Sequence, residues 1–334
     1  MTNSLQHKLK LMLIDWLIAM LVVSAIIWFA MTQPVFSNYN NNKNLQIDKK
    51  KLRTHVVELF DNYSPRTIEY GYLNSTADYI HKEFQSFGDS RYQVFHTLAE
   101  NYRNVILQLG PDTKEILVIG AHFDAENDSL DTEGNASGVA TLIELARHLS
   151  MNAKNLPIKV QLVAYSLSQG SNIENMGSYF HVESLIDSGS TVKLMISLDS
   201  VGSFNNHKGS QKYPHRFMNL LYPDRGNYIS LVSRLQDYSQ LRSIKKSFIA
   251  GSILPLQSFN IPEYLNRLGS SDHRNFWRKG IPAVLITDTA RYREVAQLHA
   301  TKRLDYEKMS MLVQGLYKVV MDMKSEKNVQ LVLD

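Results

Sequence analysis

Glu115-Ile-Leu-Val-Ile-Gly-Ala-His-Phe-Asp124, followed after a short polar stretch by Asn135-Ala-Ser-Gly138, decides how this 334-residue chain is read. The run Glu115 to Gly120 is apolar after its first residue, the pattern of a strand buried on both faces. It ends in His122 and Asp124, two polar side chains at i and i+2 and so on one face of extended chain. From Ser137 to Leu149 the apolar residues Val139, Leu142, Leu145, Ala146 and Leu149 recur at a helical period. Strand, polar turn and amphipathic helix in this order make the opening of a βαβ unit.

The same alternation extends outward. Upstream, Ser64-Pro65-Arg66 reads as the start of a helix, and Thr76 to Phe87 as another, closed by Gly88. Asn104 to Leu109 reads as a strand before a Gly110-Pro111-Asp112 turn. Downstream, Ile158 to Ala164, Leu194 to Leu198 and Ala283 to Ile286 are apolar strands, and Tyr306 to Met321 is a closing helix. This predicts an α/β fold of three layers, a mostly parallel central sheet with helices on both faces. In such sheets ligands gather at the carboxyl ends of the strands, where His122, Asp124, Asp199, Asp288 and, further on, His299 stand.

The N-terminal part is of a different kind. Leu11 to Met31 is apolar apart from Asp15, and 21 residues at about 1.5 Å each span a bilayer core. Lys8 and Lys10 precede it, which favours a cytoplasmic N-terminus and places the rest in the periplasm or outside the cell. The expected organisation is a short cytoplasmic N-terminus over 1–10, an uncleaved signal anchor over 11–31, a flexible linker over 32–52 and one folded domain over 53–334.

Composition narrows the chemistry. Hydrophobic residues make up 44% and the formal net charge is only +4, so the chain is globular and no nucleic-acid partner is expected. Lys49-Lys50-Lys51 reads as a solvated face. The absence of cysteine excludes disulfides, thiolate metal sites and cysteine nucleophiles. Neither Ser168 nor Ser178 lies in a Gly-x-Ser-x-Gly elbow, so serine hydrolase chemistry is not indicated.

In order along the chain, Ile119-Gly-Ala-His-Phe-Asp124, Asn135-Ala-Ser-Gly138, Met176-Gly-Ser178, Ile196-Ser-Leu-Asp199, Ser271-Asp-His273 with Phe276, and Gly280-Ile-Pro-Ala283 resemble the motifs of the di-zinc aminopeptidase (metallopeptidase) family over about residues 60–325. The resemblance implies metal-assisted amide hydrolysis, with a water activated by a zinc pair and a Glu acting as base. It puts zinc ligands at His122, Asp199 and His299, with Asp124 orienting His122. It also implies peptide or protein N-termini as partners.

The chain departs from that pattern at three positions. Gly134 stands where the family has its bridging Asp, and Ser168 and Gln169 stand where it has the base Glu and the second-zinc Glu. Asp131, Glu133 and Glu174 are nearby acids that could compensate. A catalytic zinc takes three protein ligands and a water, and Ser168 cannot accept a proton as a carboxylate does. The expectation is therefore an impaired or non-catalytic homologue that binds peptides or a protein partner; zinc is the only metal expected, none to two ions, with full di-zinc occupancy not expected of this homologue. The alternative is an active zinc exopeptidase with rearranged ligands. Glutaminyl cyclase chemistry on the same fold also needs a carboxylate base and is disfavoured by the same losses.

Overall fold

The computed structural model describes residues 2–40, 45–68, 72–125, 134–168, 172–263, 271–289, 292–293 and 300–323. Helix α1 (Thr2–Thr32) leads to α2 (Lys49–Asp61) and α3 (Tyr72–Gln85), then the hairpin β1 (Asp89–Thr97) and β2 (Glu100–Leu109). Next come β3 (Glu115–His122), α4 (Ala136–Ser150), β4 (Lys159–Tyr165), α5 (Gly177–Asp187) and β5 (Thr191–Leu198). The order closes with β6 (Ile229–Arg234), α6 (Tyr238–Gly251), β7 (Leu256–Ile261), α7 (His273–Arg278), β8 (Ala283–Thr287), α8 (Ala300–Arg303) and α9 (Tyr306–Met321).

The strands form one sheet in the order β1-β2-β4-β3-β5-β8-β6-β7. The central strands β4, β3, β5 and β8 run parallel, as does β7 on β6, whereas β1 and β2, β2 and β4, and β6 and β8 pair antiparallel. The sheet is therefore mixed, with parallel pairing concentrated at its centre. β3 is the innermost strand, and Leu117, Val118, Ile119 and Ala121 are all fully buried on it. Leu117, Val118 and Ile119 each contribute roughly 1.5–3 kcal/mol by leaving water.

One core cluster lies between one sheet face and helices α2, α3, α4, α6 and α9. A second packs α5 and α7, through Val182, Leu185, Phe276 and Trp277, on the opposite face around Val118 and Met195. These two clusters are the outer layers of the sandwich.

Two stretches differ from the sequence reading. Ser64-Pro65-Arg66 does not begin a helix, because the Arg66 guanidinium turns inward to backbone carbonyls. The segment expected to be a linker is also partly folded. Asp48 caps α2 by accepting from Lys50 N, and Leu52 is buried. Before that, the end of α1 lies against β7 and α6, where Lys245 Nζ donates to Thr32 O at 2.8 Å and Gln33 O at 3.2 Å. Among the described residues α1 is the one helix long and apolar enough to cross a membrane, over Gln6–Thr32.

Candidate functional site

The site begins where β3 and β5 end side by side. Pairing in register from Leu117 with Leu194 to Ala121 with Leu198 delivers His122 and Asp199 to the same edge. Both then turn out of the sheet, and Asn135 holds the two ends together. Its Nδ2 donates to His122 O at 3.0 Å and to Leu198 O at 2.9 Å, while its Oδ1 accepts from Ser200 N at 2.9 Å. Asn135 adopts a left-handed conformation, φ 56°, which asparagine tolerates better than most residues.

The rest of the Asn135-Ala-Ser-Gly138 turn follows from this staple. Ser137 Oγ accepts from Val201 N at 3.0 Å. A Cβ on Gly138 would stand 2.3 Å from Asn135 Oδ1, so only glycine leaves room for the asparagine. The sequence singled out this turn as a motif, and its job is to clamp the strand ends that carry His122 and Asp199.

His122 is 1% exposed. Its Nδ1 faces Asp124, with the carbonyl oxygen at 3.1 Å and Oδ1 at 3.5 Å. Its Nε2 points to Asp199 Oδ1 at 3.5 Å. Burial opposes a charge on this ring, but the two carboxylates outweigh it and hold its pKa well above the usual histidine value. Burial likewise works against the Asp199 carboxylate, and hydrogen bonding and charge from His122 overcome it and lower its pKa.

Beside this pair lies a cluster that sequence reasoning did not assemble. Ser168, just after β4, donates from Oγ to Asp272 Oδ1 at 2.6 Å, across 104 residues of sequence. Asp272 is fully buried, and burial pushes its carboxyl up to about 6 against the charge of His122 and hydrogen bonds from Ser168 and Ser178. Asn275 Nδ2 donates to Ser178 Oγ at 3.0 Å. His273 packs edge-on against Trp277, with ring centroids 4.4 Å apart, and burial lowers its pKa to about 3. Asp272 Oδ2, both His273 ring nitrogens and Asn275 Oδ1 are buried without a hydrogen-bond partner among the described residues. The signal for this cluster was the Ser271-Asp-His273 motif; its pairing with Ser168 is a tertiary contact with no local pattern.

At position 134 the backbone is left-handed, φ 46°, and a Cβ would stand 2.6 Å from Ala125 Cβ and 2.7 Å from Arg66 Nη2. The Arg66 guanidinium is 2% exposed and is held by three carbonyls, Leu59 O at 2.6 Å, Phe123 O at 2.7 Å and Gly134 O at 2.9 Å. A fixed cation thus backs the place expected to hold a bridging carboxylate. Glu174 lies in a short 3-10 turn over Ile173–Asn175, half-exposed, and pairs with Arg278 Nη2 at 3.0 Å. Asp131, Glu133, Gln169 and His299 lie outside the described residues.

The structure therefore brings His122, Asp124 and Asp199 together, and puts Ser168 against Asp272. Among the described residues there is no group of three or more His, Cys, Asp or Glu placed to hold one metal ion. His122 and Asp199 are chemically suited to zinc, but these two donors alone fall short of the three a zinc centre takes from protein.

With this geometry in place, comparison with known proteins is informative. The description of Peptidase family M28 matches residues 104–307. The uncharacterized protein YfbL of Escherichia coli (strain K12) is 38% identical over 291 residues, covering 82% of this chain and 88% of that one. The chain belongs to Peptidase family M28.

Solved structures agree on the fold. The LapA aminopeptidase of Legionella pneumophila superposes with a TM-score of 0.64 at 17% identity, covering 87% of this chain and 76% of that one. A Zn-dependent exopeptidase from Parabacteroides distasonis superposes with a TM-score of 0.59 at 14% identity, covering 83% and 99%.

Proposed function

We propose that this chain is a membrane-anchored member of the family whose peptidase-type domain has lost the intact di-zinc hydrolytic site and serves as an impaired or non-catalytic homologue that binds peptides or protein N-termini. The observation that carries this reading is position 134. Glycine stands there in place of the bridging carboxylate, and its Cβ space is closed by Ala125 and by the buried Arg66 guanidinium. The buried polar atoms of Asp272, His273 and Asn275 that lack a partner among the described residues are groups a backbone amide or a terminal amine would satisfy. With the N-terminus in the cytoplasm, the domain faces the periplasm or the cell exterior.

A rearranged zinc exopeptidase is the second reading, favoured by the convergence of His122 Nε2 and Asp199 Oδ1 at 3.5 Å. The zinc dependence of the Parabacteroides distasonis exopeptidase supports a metal in this neighbourhood. The two readings separate on metal content and hydrolysis by the full chain in detergent, after dialysis against micromolar zinc. The binding homologue holds at most one zinc and leaves aminoacyl amides uncleaved. Two zinc ions per chain with cleavage of such substrates overturns it.

A further inference from the structure

Where α1 leaves its apolar stretch, it meets an unusually apolar part of the domain. Ile27, Ala30 and Met31 on the helix and Phe217, Met218 and Leu235 on the domain line a cleft of roughly 220 Å³. The contact is built, not incidental. Asn260 Nδ2 donates to Ala30 O at 3.1 Å, Ser258 Oγ donates to Thr32 O, and the Arg242 guanidinium lies 5.5 Å from the centre of the Phe29 ring. Met31, Met218, Tyr222, Phe259 and Ile261 share one core cluster.

The side of this cleft away from the core is left open to the surroundings. Arg216–Leu220 is a 3-10 turn, in which side chains three apart eclipse, so Phe217 and Leu220 share one edge. Phe217 is 48% exposed, Leu220 87% and Leu235 43%. Trp28 and Phe29, in the same turn of the helix as the cleft's Ile27, Ala30 and Met31, are half-exposed. In water such a patch would be costly, and its continuity with the apolar face of α1 identifies the solvent it suits.

The geometry points to a second membrane contact. The Arg216–Leu220 turn and Leu235 lie in the interfacial layer of the bilayer next to the helix, with Phe217 and Leu220 at the level of the upper acyl chains. The depth follows from α1. An apolar stretch ending near Met31 puts Ile27 to Met31 at the far boundary of the hydrocarbon, and the cleft walls touch those same residues. Amphipathic elements at this boundary bury their apolar side by about 5–10 Å. The aromatic rings of Trp28, Phe29 and Phe217 fit that layer. This inference rests on the reading of α1 as a membrane helix.

Because the chain has no cysteine, single labelled cysteines test it directly. Phe217→Cys and Leu220→Cys, each carrying an environment-sensitive fluorophore, would be studied in the full chain at one copy per lipid nanodisc. Val94→Cys is the aqueous control, 61% exposed on β1 at the sheet edge opposite β7, and Leu21→Cys marks the anchor. Labels at 217 and 220 should be quenched by nitroxide lipids, with iodide quenching at least ~3-fold weaker than at 94. Iodide quenching equal to that at 94, while the label at 21 stays lipid-protected, overturns this contact and leaves the anchor standing. A label at 21 open to iodide overturns both. Protection at 217 and 220 seen only with several copies per disc overturns the bilayer assignment in favour of a second chain.

Discussion

At the β7 edge, Lys245 Nζ is buried and donates to Thr32 O, Gln33 O and Ser258 Oγ, three acceptors for its three protons. At the carboxyl ends of the central strands, Asp272 Oδ2, Asn275 Oδ1 and both nitrogens of His273 are equally buried and have no partner among the described residues. A buried polar atom without a partner costs about 1–3 kcal/mol. The first region is a finished joint, with its polar groups used up in holding α1 to the domain. The second keeps hydrogen-bonding capacity in reserve. Neighbouring residues make the same distinction: Arg66 is tied to three backbone carbonyls, whereas His122 and Asp199 are held in place but aimed at each other.

The sharpest way to break this contrast is at the joint. Lys245→Ala strips Gln33 O of its donor, weakens the hold on Thr32 O and leaves a cavity. It should lower stability by about 3–4 kcal/mol in urea denaturation of the detergent-solubilised chain. A loss below about 1 kcal/mol would show that α1 is docked by its apolar contacts instead.

The site's stability is expected to depend on pH through Asp272. The Asp272 carboxyl binds its proton more tightly folded than unfolded. Its contribution to stability is therefore complete below about pH 4 and is lost as the pH rises through about 6. Asp272→Asn should abolish about 2–3 kcal/mol of decline over that window, measured by denaturation at half-unit pH steps. An unchanged slope would place the decline on other groups.

Gly134→Ala sets a methyl against Ala125 and Arg66 in a left-handed conformation, and should destabilise by about 1–2 kcal/mol. A neutral result would show that the space beside Arg66 opens easily and can take a larger residue. The smallest expected effect is at Glu174, whose exposed pair with Arg278 is worth less than about 0.5 kcal/mol. Glu174→Ala should leave both stability and zinc content unchanged. Zinc lost on this substitution would bring Glu174 into the site.

Much of the fold was legible because its centre is simple. β3, β4, β5 and β8 are short apolar runs, and α4 and α9 show a clean helical period. β6 was not read, since Ser230 and Ser233 interrupt its apolar pattern although all six residues are buried. Nor was β1, an edge strand of mixed polarity that depends on β2 for its pairing. In the site, His122, Asp124 and Asp199 stood out by their place after strands. The roles of Asn135 and Arg66 did not, because a staple between strand ends and an inward-turned guanidinium depend on where distant carbonyls arrive. The docking of α1 escaped for a similar reason: a polar, asparagine-rich stretch reads as slack whether or not its first residues are tied down.

Under the proposed binding function, that tied end has a consequence for how the domain would meet a ligand. A free tether of some 20 residues would wander over roughly 25 Å and let the domain tumble. Here the joint at Thr32 removes most of that leash. In a bilayer, the candidate site would then stay at one height and one heading, and move only as the helix drifts and spins in the plane of the lipid. Encounters would become a two-dimensional problem, in which a ligand displayed at the matching height is met often and one held closer or farther is met rarely.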